Sequence, residues 1–246
     1  MNGNRDQQAY DRGTNIFSPD GRLYQVEYAR EAVRRGSASV GVRAEDGVVL
    51  AASRRVRSPL LEAESVEKLH KVDDHVGIAS AGHVADARQL VDFARRRAQG
   101  DRLRYGEAMG VEPFTKALTD HVQEYTQQGG ARLFGAALLV GGMDDEPRLF
   151  ETDPSGTPRE WRATAIGAND ADVREFLEAN YDDSLSVGQG VDLALEALAE
   201  SRREDEETIA PETVSVATIA PDYDELGGDE RRSRLDALDL LDPSDS

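Results

Sequence analysis

The chain has 246 residues, 39% of them hydrophobic and only 6% aromatic, so one substantial core built from Val, Leu, Ile and Ala is expected. Its 48 acidic residues against 29 basic ones give a net charge of −19, which repels nucleic acid and anionic membranes. There is no cysteine, so disulfides and thiolate metal sites are excluded.

In chain order, the polar residues 1–16 read as a mobile tail. Phe17-Ser18-Pro19-Asp20-Gly21 is a turn, with Pro19 fixing φ and Gly21 free to take a positive one. Leu23, Val26, Ala29 and Val33 then recur at helical spacing, which predicts a helix over 22–34. Val40–Val42 and Val48–Ala52 flank Glu45-Asp46-Gly47 as a hairpin. Leu69–Val72 and His75–Ser80 form a second strand pair. Two helices follow. The apolar face of the first is Val84, Ala87, Leu90, Val91, Ala94 and Ala98, and that of the second is Val111, Phe114, Leu118, Val122 and Tyr125. Strands at 134–140, 148–151 and 162–166, helices at 170–180 and 187–202, and a strand at 213–220 complete the order. From Asp222 the chain turns acidic, and residues 222–246 are expected to be a disordered tail or one short helix on Leu235, Leu238 and Leu241. Residues 17–221 form a single domain.

Strands, a helix pair, strands, a helix pair and a strand indicate an α+β class with helices covering packed sheets. No apolar run reaches the roughly 18 residues of a membrane span, and MNGNRDQQAYDRG lacks the apolar stretch of a secretory signal. A soluble cytoplasmic protein is therefore expected. Among the basic residues only Lys68, Lys71 and Lys116 are lysine. Many carboxylates and few lysines suit a protein of high ionic strength, where the Debye length falls to about 3 Å at 1 M salt and self-repulsion is screened.

Phe17–Ala29, FSPDGRLYQVEYA, resembles the N-terminal signature of α-type proteasome subunits of the archaeal kind. Further matches follow in order: LEAESVEK at Leu61–Lys68, GHVADAR at Gly82–Arg88, YTQQGGARLFG at Tyr125–Gly135, ETDPSG at Glu151–Gly156 and ATAIG at Ala163–Gly167. The resemblance runs from Tyr10 to Ala220. It implies the N-terminal nucleophile hydrolase fold, a four-layer αββα sandwich with an extra N-terminal helix. It also implies a homo-heptameric ring stacked on β-type subunits that carry the peptidase sites, with no cofactor.

Active members of this fold use an N-terminal Thr whose own amine is the base, helped by a Lys and an Asp. Here Ser37 holds the matching position inside the chain, Ser53 stands where the Asp is needed, and Lys68 matches the Lys. The expectation is a non-catalytic subunit. Gly36-Ser37 keeps open a rival in which self-cleavage releases Ser37 as a nucleophile, and a ring-forming scaffold without a proteasome role is a third reading.

By the same resemblance Lys68 and Gly82 line a pocket for the C-terminal carboxylate of an AAA-type ATPase regulator. His83 replaces the usual Leu at the rim of that pocket. Tyr10, Asp11, Arg12, Pro19 and Tyr28 match the residues that arrange the tails gating the axial pore. His70, His75 and His121 lack metal-ligand spacing and are expected to be ordinary core or surface residues.

Overall fold

The computed structural model describes residues 24–242 apart from positions 57, 59, 128–131 and 203–207. Two antiparallel five-stranded sheets pack face to face between helices, giving the four-layer sandwich of the N-terminal nucleophile hydrolase fold. One sheet has the order β10-β9-β2-β1-β8, from Tyr223–Glu225, Val214–Ile219, Val48–Ser53, Ser39–Arg43 and Ala163–Ile166. The other runs β3-β4-β5-β6-β7, from Leu69–Asp73, Val76–Gly82, Ala136–Met143, Pro147–Thr152 and Pro158–Glu160.

Alternation along the strands builds the layers, because successive side chains point to opposite faces. On β2, Val48, Leu50 and Ala52 face the opposing sheet, while Val49 and Ala51 face helices. On β5, Ala137 and Leu139 point between the sheets and Leu138 and Val140 point outward. Helices α2 (Val84–Tyr105) and α3 (Val111–Gln127) cover the β3–β7 sheet. Helices α4 (Asp170–Asn180) and α5 (Val187–Glu200) cover the other. The first described helix, α1 (Tyr24–Arg34), packs one end of the sandwich through Val26, Ala29 and Val33.

Three regions depart from the sequence reading. Val84 is exposed, and Asp86 takes a buried place on α2 instead. That helix also runs seven residues beyond Ala98, to a Gly106 cap at φ +78. The short strand β7 carries no apolar residue and gave no periodic signal.

The largest departure lies past Asp222. The short helix expected there is present as α6 (Gly228–Ala237), with Leu235 buried, but β10 also extends the sheet beside β9, so residues 222–242 are not a free tail. Tyr223, Leu226 and Leu235 are buried, and Leu241 bridges to Ile209. The acidic residues between them face solvent, so net composition hid a few widely spaced inward apolar side chains. The helix ends at Ala237, so Leu238 and Leu241 lie beyond it.

Candidate functional site

A cleft of ≈ 800 Å³ opens where the end of α1, the start of β3 and the β4–α2 junction meet. Backbone geometry builds it. Gly36 ends α1, donating its N–H to Val33 O at 2.9 Å. A Cβ on Gly36 would lie 2.4 Å from Gly82 N. Gly82 has φ +105, and a Cβ there would lie 2.2 Å from Gly135 O. Three chain segments therefore touch at a point that only glycine permits. Asp86 locks the corner, accepting from Gly135 N at 2.7 Å and from both terminal nitrogens of Arg132 at 2.9 and 2.5 Å.

The cleft brings together Lys68, Gly82 and His83, and adds Tyr28 and Ser37. Lys68 is 7% exposed, with Nζ donating to Ser37 O at 2.6 Å and to Ser37 Oγ at 3.0 Å. Burial, reinforced by the Arg55 guanidinium, pushes its pKa down to about 7. No carboxylate among the described residues forms an ion pair with it. The ammonium is thus held by neutral acceptors beside an open space, an arrangement short of one negative charge.

His83 is exposed at the start of α2, its N–H donating to Gly135 O at 2.8 Å. Tyr28 is 73% exposed on α1. Tyr10, Asp11, Arg12 and Pro19 lie outside the described residues. Ser37 Oγ donates its proton to Ser53 O at 2.7 Å and accepts from Lys68 Nζ at 3.0 Å. Ser53 Oγ is buried with no partner among the described residues. Gly36 O accepts from Ala168 N at 2.8 Å, so the Gly36–Ser37 peptide is tied into the sandwich.

His70 is buried, and burial pushes its pKa down to about 4. His75 hydrogen-bonds Met109 O at 2.9 Å, and His121 stacks on Phe93 with centroids 3.8 Å apart. Among the described residues no group of three or more His, Asp or Glu is placed to hold a metal ion. No helix of the described chain is long and apolar enough to cross a membrane. Sequence reasoning missed Asp86, Arg132 and Gly135. All three lie inside stretches that carry the resemblance, Asp86 in GHVADAR and Arg132 and Gly135 in YTQQGGARLFG, but nothing in either stretch pairs them across the chain.

The fold and the cleft define a protein of the proteasome type. A family model described as Proteasome subunit matches residues 33–219, and one for the N-terminal signature of A-type proteasome subunits matches residues 10–32. The chain is 61% identical over 246 aligned residues to the proteasome alpha 1 subunit of Haloarcula marismortui, spanning 98% of this chain and 94% of the relative. It is 62% identical to the proteasome alpha 1 subunit of Haloferax volcanii over 245 residues, with 98% and 96% covered. It is 66% identical to the proteasome alpha subunit of Haloquadratum walsbyi over 227 residues, with 92% and 90% covered. The chain belongs to the proteasome subunit family, in which it is an alpha-type, non-catalytic member. Members of that family assemble with other proteasome subunits.

Proposed function

We propose that the chain forms a homo-heptameric outer ring of the cytoplasmic proteasome core particle, templates the β-type ring, and receives an ATPase regulator in the Lys68 cleft. The observation that supports this most is the buried Lys68 ammonium, which has only neutral partners and borders an open cleft. A peptide C-terminal carboxylate supplies the missing charge, and Lys is a compact three-donor cation suited to it. Gly82 keeps the floor low, and His83 stands at the rim. Docking there would shift Tyr28 and the segment leading to Pro19, biasing tails that carry Tyr10, Asp11 and Arg12 between closed and open arrangements.

The chain contributes no nucleophile in this reading. Ser37 lies within the chain, so no free α-amine is available as its base, and its proton goes to a backbone carbonyl. High ionic strength suits the −19 charge, since self-repulsion between subunits is then screened.

The test is Lys68→Ala in the particle reconstituted with its β-type subunits. Rings should assemble normally, while the loss of about 2–5 kcal/mol of docking energy abolishes stimulation by the ATPase. Stimulation equal to that of the unaltered particle would overturn the assignment.

A further inference from the structure

On the other side of the Lys68 strand lies a second cleft of ≈ 500 Å³, bounded by the end of β2, β3, and the start of α6. Glu67 and Lys68 border both clefts, but Arg54, His70 and Arg231 line this one and not the first. Each of these three carries a buried nitrogen without a partner among the described residues: Arg54 Nε, His70 Nε2 and Arg231 Nε. Arg231 is 7% exposed, and its carboxylate neighbour is the distant Glu64 at 3.9 Å, itself largely exposed. The Arg54 guanidinium donates a long bond of 3.3 Å, to Glu212 O. Burial lowers the pKa of Arg54 and the like charge of Arg231 lowers it further, more than Glu64 and Glu225 raise it. Glu225, also in the cleft, is occupied by the Tyr223 hydroxyl at 2.5 Å.

Two under-partnered guanidiniums lining one cleft are costly in any protein. They are more conspicuous in a chain with 48 acidic residues available to neutralise them. The ten-residue helix α6 begins at the same place, and its N-cap Gly227 offers no side-chain acceptor to the first N–H groups. Arg231 folds back over that turn, within 3.8 Å of where a Cβ on Gly228 would lie. We propose that this cleft binds one small oxyanion of the phosphate class between Arg54 and Arg231, at the N-terminal turn of α6. Planar nitrogen forks and a free helix start both suit such a group. Glu64 and Glu67 at the cleft, with Asp229 and Glu230 in the first turn of α6, repel extended polyanions and keep the site to a small ion.

The test uses the full chain and inorganic phosphate, titrated by calorimetry with ionic strength held constant by chloride. One saturable site per chain is expected, weakened at least tenfold in Arg54→Gln and in Arg231→Gln, and unchanged in the remote control Lys116→Gln. Circular dichroism checks that each variant folds. If one does not, the other carries the comparison, and the unaltered chain decides the first question alone. Absence of saturable binding to the unaltered chain overturns the proposal. So does binding that persists undiminished in a folded Arg54 or Arg231 variant, which would mean non-specific anion association only.

Discussion

Asp86 and Lys68 are both buried charged side chains at the same end of the sandwich, yet one is fully partnered and the other is not. Asp86 accepts from a backbone N–H and from both arms of Arg132. Lys68 donates to a serine carbonyl and hydroxyl, and meets no ion-pair partner among the described residues. A satisfied buried charge holds a corner together. An unsatisfied one costs stability, and persists where a ligand completes it.

The largest effect expected from this contrast is at Asp86. Asp86→Ala leaves Gly135 N and the Arg132 fork without their acceptor, and should destabilise the chain by about 3 kcal/mol. Denaturant unfolding of the isolated chain measures it, and a cost within error of a surface substitution would remove Asp86 from its structural role.

Lys68→Met should act in the opposite direction. Moving the ammonium from its ordinary 10.5 to about 7 corresponds to roughly 5 kcal/mol of unfavourable burial, at about 1.4 kcal/mol per pH unit. Leaving Ser37 O without its donor offsets about 1–3 kcal/mol of that gain. A net stabilisation of at least about 2 kcal/mol remains, readable in the same unfolding experiment near pH 7.

The smaller, sharper expectation is how that difference changes with pH. The folded pKa of Lys68 lies below the unfolded one, so between about 7 and 10.5 the unfolded state binds the extra proton. Stability of the unaltered chain therefore rises with pH through this window, and the advantage of Lys68→Met shrinks. An advantage that stays constant from pH 7 to 9.5 would show that the Lys68 charge is not what the fold opposes.

The contrast also explains what the sequence disclosed. Lys68, Gly82 and His83 were legible together because the family resemblance assigns them to one pocket, and the fold places them around one cleft. Helix faces such as Phe114, Leu118 and Val122 were legible because periodicity survives within one element. Asp86 was not, since its partners stand 46 and 49 residues away and no local spacing announces them. The strand after Asp222, β10, was hidden differently. Tyr223, Leu226 and Leu235 are widely spaced among solvent-facing carboxylates, and composition reads such a stretch as tail. Pairing with β9 supplies the order that local sequence lacks.

The most direct test of the central claim, that Lys68 awaits a carboxylate, is binding of a short peptide to the assembled ring. The peptide is compared with a free C-terminus and with an amidated one, from pH 6 to 9. A carboxylate raises the pKa of Lys68, so docking takes up a proton above pH 7. The free-acid peptide should bind and the amide should not, with affinity falling by up to about tenfold per pH unit above 7. Equal binding of acid and amide, or an affinity indifferent to pH across that range, would contradict the claim.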